Sequence, residues 1–198
     1  MNVRTAPPNE SPAPTAPSPE AQRPVRQNPA ESRQALYHLA APVSVLTVSH
    51  EGRLHGTTAS TVTLISRNPL LVGVCLRTGS SFARLADAEG RFVVNVLGGQ
   101  QADLARWFAD SSRPDGNGQF AGTEWAPDPY AGAPLLAGAL AHYVCRVHGT
   151  TSLGDSEILL GRVVRATAGE GPPLLSYTGG LFTGALRPAL TSKETTAS

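Results

Sequence analysis

The sequence predicts a mainly β fold, an antiparallel barrel with short helices at its edges. Three observations carry that prediction. Six or seven segments of strand length and strand period recur along the chain. Three short helical patterns lie between them, and most strands follow one another through tight turns. Short turns favour antiparallel neighbours, and helices used as crossovers then sit at the barrel edges. At 198 residues the chain is long enough for one domain with a sizeable core.

Residues 1–30 hold eight of the 17 prolines and little that is bulky and apolar, so they are expected to form a disordered tail. The ordered domain is expected over 31–186, and 187–198 as a frayed polar end. Glu31–Ala40 reads as a short helix with Leu36 and either Leu39 or Tyr37 on its apolar face, ended by Pro42. Ser44–His50 is a strand, and Glu51-Gly52-Arg53 turns it into His55–Ser66, HGTTASTVTLIS. That stretch carries six hydroxyl side chains, and Gly56 allows a close backbone approach. Two readings are open: a wall for a flat, polar-edged ligand in its first half, or an edge strand with a solvated Thr-rich face. Its second half, Val62–Ser66, is expected to be barrel core.

Asn68-Pro69 breaks the chain, and Leu70–Leu76 (LLVGVCL) is a continuously apolar strand expected at the centre of the sheet. Phe82–Glu89 reads as a helix with Phe82, Leu85 and Ala86 inward and Gly90 as its stop. Before it stand Arg77, Gly79, Ser80 and Ser81. A helix N-terminus carries free N–H groups and partial positive charge. With two hydroxyls and an arginine beside it, the junction reads either as a seat for a phosphate or as a plain serine N-cap. Arg91–Leu97 is a strand, Gln100–Phe108 a helix with Leu104, Trp107 and Phe108, and Asp110–Gln119 a mobile loop. Phe120–Trp125 is a short structured piece. Ala139–Thr151 and Glu157–Ala168 form a long hairpin about a Ser152–Ser156 turn, and Leu174–Tyr177 is the last strand.

Composition narrows the function. A net charge of +1 with 16% charged residues indicates neither a nucleic-acid surface nor an acidic tail. No apolar run approaches the ~20 residues of a membrane helix, and the N-terminus lacks an apolar signal core. Cys75 and Cys145 read as reduced core thiols of a cytoplasmic protein. The five histidines show no metal spacing, so no metal site is expected. The Rossmann, phosphate-loop and nucleophile-elbow signatures are all missing.

The order of motifs resembles the short flavin reductases of the FMN-binding split-barrel family. The resemblance runs through PVSVLT (Pro42–Thr47), HGTTAST (His55–Thr61), NPLLVGVCL (Asn68–Leu76), SSF (Ser80–Phe82), GRFVVNVL (Gly90–Leu97), LARWFA (Leu104–Ala109) and FAGTEW (Phe120–Trp125). It continues through GAPLLAGALAHYVCRV (Gly132–Val147), GRV (Gly161–Val163) and PLLSYTGG (Pro173–Gly180). It implies a Greek-key split β-barrel and an NAD(P)H:flavin oxidoreductase that supplies reduced FAD or FMN to a partner flavin-dependent monooxygenase, working as a homodimer. By that resemblance the flavin ring lies against Thr58, Ala59, Ser60 and Thr61, near Pro42 and Val43. Leu76, Arg77, Ser80, Ser81 and Phe82 take the ribityl chain and phosphate, and Phe108 and Ala109 touch the flavin elsewhere.

Two positions depart from the family pattern. Ser156 stands where a nicotinamide-side histidine is usual, and Leu181 where an aromatic is usual, with Phe182 next to it. Asp155, Ser156, Tyr177 and Phe182 are therefore the expected nicotinamide side. The scarcity of arginine around that hairpin leans toward NADH over NADPH. Hydride passes directly between the two cofactors, so no catalytic side chain is nominated. The alternatives are a flavin-binding split barrel without reductase activity, a storage or sensor module, or a barrel that binds no flavin.

Overall fold

Three hairpins, joined by pairings between strands far apart in sequence, build the main sheet. The computed structural model describes residues 38–184 without a break, together with Asn28, Ala30, Ala35, Leu36, Leu186 and Arg187. The chain divides into Met1–Leu36 and Tyr37–Ser198, and the fold below is that of the second unit. The expected tail over 1–30 and frayed end over 187–198 fall almost wholly outside the described residues. Of the expected Glu31–Ala40 helix, Ala35 and Leu36 are helical, whereas Leu39 and Ala40 are exposed and lie beyond any helix.

Twelve strands are described: β1 (Ala41–Pro42), β2 (Ser44–His50), β3 (Arg53–Ala59), β4 (Thr63–Arg67), β5 (Leu70–Arg77), β6 (Arg91–Val96), β7 (Trp125–Pro127), β8 (Pro134–Leu136), β9 (Ala141–Leu153), β10 (Ser156–Ala168), β11 (Leu174–Tyr177) and β12 (Gly180–Thr183). Two α-helices, α1 (Ser81–Glu89) and α2 (Ala102–Ala109), flank β6 in sequence. Seven strands form one antiparallel sheet in the order β3-β2-β6-β9-β10-β5-β4. Smaller sheets are β1-β11-β12 and β7-β8. The mainly β, antiparallel expectation therefore holds. Leu174–Tyr177 is β11 as expected, and the unexpected strands β1, β7, β8 and β12 are two to four residues long, too short to show a period in sequence.

β2 is buried on both faces, since alternate residues feed different cores. Leu46 and Val48 pack with Val74, Phe92, Val94, Cys145, Leu159 and the inner face of α1. Val45 packs with Leu54, Leu97, Phe108, Phe120 and Leu174. α1 buries Phe82, Ala83 and Ala86, and Phe82 meets Phe92 edge-on at 6.0 Å. Leu85 is only half-buried, so Ala83 takes the inward place expected for it. Ser80 caps the helix by accepting from the Ala83 N–H, and Gly90 closes it in the left-handed conformation at φ 74°.

Three expectations are corrected. Val62–Ser66 is not core: β4 is an outer strand, with Leu64 46% and Ile65 50% exposed. Leu70–Leu76 lies one strand in from that edge rather than at the centre of the sheet. Its Cys75 is exposed, while Cys145 is a core thiol whose pKa burial pushes up to about 12. In β5 an apolar run reflects a strand covered on one face only in part, which sequence period cannot reveal.

A buried amide ties β2, β6 and β8 together. Asn95 Nδ2 donates to the Val45 carbonyl at 3.0 Å and to Thr47 Oγ1 at 3.1 Å, and its Oδ1 accepts from the Leu136 N–H at 2.8 Å. Replacing it leaves the Leu136 N–H without a partner in a site closed to water. Asn95→Ala is expected to lower unfolding free energy by about 1–3 kcal/mol in urea titrations, and an unchanged midpoint would show that the amide is dispensable.

Candidate functional site

Two cavities of opposite character matter here. The first, about 270 Å³, is polar and is lined by His55, Thr57, Ser81, Ser111, Arg113 and Asp115, with Ser80, Phe82 and Gln119 completing its wall. The second, about 400 Å³, is chiefly apolar and is lined by Pro42, Val62, Leu64, Val72, Tyr143 and Val163, with Ser44 among them. Ser44 Oγ is fully buried and has no hydrogen-bond partner. Ser44 pairs across the ladder with Ala59, two residues beyond Thr57, so β3 runs from the polar cavity to the border of the apolar one.

Local sequence places these groups. Gly56 brings β3 onto α2: an added Cβ would lie 2.5 Å from the Phe108 ring. The loop 110–119 then folds back over β3. Gln119 Oε1 accepts from the Gly56 N–H at 3.0 Å, and Arg113 donates to the Gly56 carbonyl at 2.6 Å and to the Asp110 carbonyl at 2.5 Å. The Asn117 side chain accepts from the Leu54 N–H at 2.8 Å, and the Trp107 indole donates to the Gln119 carbonyl at 2.7 Å. A segment that reads as a mobile loop is thus fastened at several points to β3 and α2.

The expected flavin-side residues take different places. Ser80, Ser81 and Phe82 stand together at the polar cavity, although Phe82 is core and Ser80 is the helix cap. The Ser80 N–H donates to Glu157 Oε1 at 3.2 Å. Ser81 Oγ accepts from Arg84 at 3.3 Å. Leu76 is core and Arg77 is exposed. In the hydroxyl-rich quartet, Thr58 donates to the Ala105 carbonyl and Thr61 to the Cys75 carbonyl, both at 2.7 Å. Those two protons hold α2 and β5, while Ser60 keeps its hydroxyl unengaged among the described residues and Ala59 is buried. Val43 and Phe108 are core, Pro42 borders the apolar cavity, and Ala109 is exposed.

The nicotinamide-side residues separate into two pairs. Asp155 and Ser156 form the tip of the β9–β10 hairpin, where Ser156 Oγ donates to the Asp155 carboxylate at 3.2 Å and the Thr78 N–H donates to the Asp155 carbonyl. Ladder register sets Arg77 opposite Ser156, so a cation stands beside the hairpin that sequence alone had marked as poor in arginine. Tyr177 and Phe182 sit on the three-stranded sheet, rings edge-on at 6.1 Å, and the Tyr177 hydroxyl lies 3.3 Å from His38 Nδ1. Among the described residues no cluster of His, Cys, Asp and Glu could hold a metal, and no helix is long and apolar enough to cross a membrane.

Sequence reasoning did not find Arg113, Gln119, Ser111 and Asp115. Their segment, DSSRPDGNGQ, is made of turn formers, and only folding shows that its one arginine and its glutamine face β3.

With this geometry in place, the family follows. Residues 36–185 match the model of the flavin reductase like domain, and the chain belongs to that family. It is 38% identical over 152 residues to an NADPH-flavin oxidoreductase of Streptomyces viridifaciens, covering 76% of this chain and 78% of the relative. It is 36% identical over 150 residues to the reductase component of a 4-nitrophenol 4-monooxygenase/4-nitrocatechol 2-monooxygenase of Rhodococcus opacus, covering 76% and 78%. Among solved structures it resembles the NADH:FAD oxidoreductase SgcE6 of Streptomyces globisporus in complex with NAD and FAD fragments, with TM-score 0.73, 32% identity and coverage of 79% of this chain and 92% of that one.

The electrostatics of the polar cavity set a pH test. Burial, then the Arg113 charge, hold the His55 pKa below its ordinary 6.5, with Asp115 opposing. The unfolded chain therefore takes up the proton first, and native stability falls as pH drops from about 6.5 through the lower folded value. Above about 6.5 the residue contributes no penalty. Between about pH 7.5 and about pH 5.5 the native protein is expected to lose more unfolding free energy than His55→Gln. Parallel denaturation curves for the two proteins would contradict this.

Proposed function

We propose that this chain is an NAD(P)H:flavin oxidoreductase that reduces FAD or FMN and passes the reduced flavin to a flavin-dependent monooxygenase. The observation that carries the reading is the continuity of β3 from a polar cavity to an apolar one. A phosphorylated flavin is a flat ring with a polar edge joined to an anionic tail, and the donor chemistry fits both ends. Hydroxyls of Thr57 and Ser81, the His55 ring and the Arg113 guanidinium suit a phosphorylated polyol. The polar cavity is smaller than the about 300–1,000 Å³ of a pocket for a whole drug-sized ligand, as expected for a seat that takes only the tail. The apolar cavity with its orphaned Ser44 hydroxyl suits a ring that brings its own hydrogen-bonding edge.

When bound, the flavin supplies the redox chemistry, accepting hydride from NAD(P)H. The chain's own work is binding and orientation. Pro42, Ala59 and Val62 border the ring, and the Ser60 hydroxyl and β3 backbone offer donors to its polar edge. Asp155, Ser156, Tyr177 and Phe182 form the nicotinamide side, with NADH as the expected donor and Arg77 as the cation an NADPH phosphate would meet. The Rhodococcus relative is the reductase component of a monooxygenase, which supports a monooxygenase partner here. NADH as donor is in keeping with a cytoplasmic setting.

The same reading includes a homodimer. Leu64, Ile65 and Leu70 are exposed beside the apolar cavity, a flank that a second copy would cover. Purified protein with NADH and FAD or FMN is expected to bleach the NADH absorbance in a flavin-dependent way and to sediment as a dimer. Protein that binds flavin but oxidises neither NADH nor NADPH would instead be a storage or sensor module. A monomer would remove the proposed cover of the apolar flank.

A further inference from the structure

We propose that Gln119 locks His55 in the Nε2–H tautomer, and that this N–H and the unused side of the Arg113 guanidinium form the receptor by which the chain selects phosphorylated flavins over riboflavin. The proposal rests on the flavin reductase reading for its ligand, but its internal geometry stands apart from it.

The amide of Gln119 can point only one way. Its Oε1 lies 3.0 Å from the Gly56 N–H and 3.3 Å from Arg113 Nε. Both of those groups only donate, so both must meet the oxygen. The amide nitrogen then faces His55 Nδ1 at 3.2 Å. An amide NH₂ donates and cannot accept, so Nδ1 must present its lone pair. The ring proton is left on Nε2, and Nε2 has no protein partner among the described residues. Gln119 is 1% exposed, so water does not compete for these bonds. The ring itself leans against Phe82, with centroids 6.4 Å apart.

Arg113 is arranged in a similar way. A guanidinium has five N–H donors. Three of them serve the Asp110 carbonyl, the Gly56 carbonyl and Gln119 Oε1. Two remain, and Arg113 makes no ion pair among the described residues. The nearby Asp110 carboxylate is taken by the Ser112 N–H and hydroxyl, each at 2.8 Å. The Asp110 and Asp115 charges act on this partly buried cation without a direct ion pair, so its two free N–H groups are left for an anion in the cavity. Asp115 lines the same cavity, so bulk positive charge is not what selects the ligand. Recognition falls to directed donors: one imidazole N–H, two guanidinium N–H groups and the Ser81 hydroxyl. Riboflavin ends in a hydroxyl and gains little from them.

The first test needs no flavin. ¹⁵N spectra of the histidine rings in unmodified protein are expected to show His55 protonated on Nε2, and protonation on Nδ1 would overturn the lock. In Gln119→Glu a carboxylate replaces the donor toward Nδ1, and the His55 signal is expected to move to an Nδ1-protonated form; an unmoved signal would also overturn it. Inorganic phosphate is expected to perturb the Nε2 resonance, and no perturbation up to high phosphate would count against the receptor. Flavin titrations complete the case. Arg113→Ala is expected to weaken FMN on the order of tenfold while riboflavin changes little. Equal losses for both flavins would mean that Arg113 merely holds the loop. Wild-type protein that binds neither flavin would overturn the reductase reading, whereas the tautomer and phosphate results would still decide the receptor.

Discussion

Gly56 is the constraint on which the site depends. No side chain fits there, because the Phe108 ring occupies the place of a Cβ. That contact draws β3 onto α2. The bare backbone of Gly56 is then open on both sides, its N–H to Gln119 and its carbonyl to Arg113. A bulkier residue would push α2 away and leave the 110–119 loop without its anchor. One missing methyl group thus couples core packing to the position of the Arg113 guanidinium that lines the polar cavity.

Polar groups in this molecule divide into those that hold the fold and those left for a ligand. Asn95, Thr47, Thr58 and Thr61 spend their protons on backbone carbonyls or on each other. Asp128, fully buried, accepts from the Tyr130 and Ala131 N–H groups and pairs with Arg165. Others keep unused hydrogen-bonding capacity in residues that line the two cavities: His55 Nε2, two N–H bonds of Arg113, and Ser44, whose buried Oγ has no partner. Buried polar groups seldom lack partners without a reason, and the proposed flavin, whose two ends differ in polarity, would supply one.

Much of the fold was legible in the sequence because long strands with clear turns dominate it. Ser44–His50 matches a strand residue for residue, and Gly90 ends α1 where a left-handed stop was expected. Failures had specific physical causes. Leu64 and Ile65 look like core by composition, but β4 is the outer strand and leaves them exposed. Cys75 sits in an apolar run yet faces outward. In the site, Ser80 and Ser81 were visible as the start of a helix. Thr58 and Thr61 carried the right chemistry but are engaged in holding neighbouring elements. Arg113 and Gln119 were hidden because their role comes from a long-range return of the loop onto Gly56, a contact between residues some sixty positions apart that no local pattern encodes.

The central proposal is that the anionic tail of a flavin lies between α1 and the loop over β3. A crystal structure of the protein with FMN tests this most directly. The account predicts the phosphorus within hydrogen-bond reach of Ser81, His55 Nε2 and Arg113, with the ring lying along β3 toward Ala59 and Pro42. A phosphate seated anywhere outside that polar cavity would contradict it.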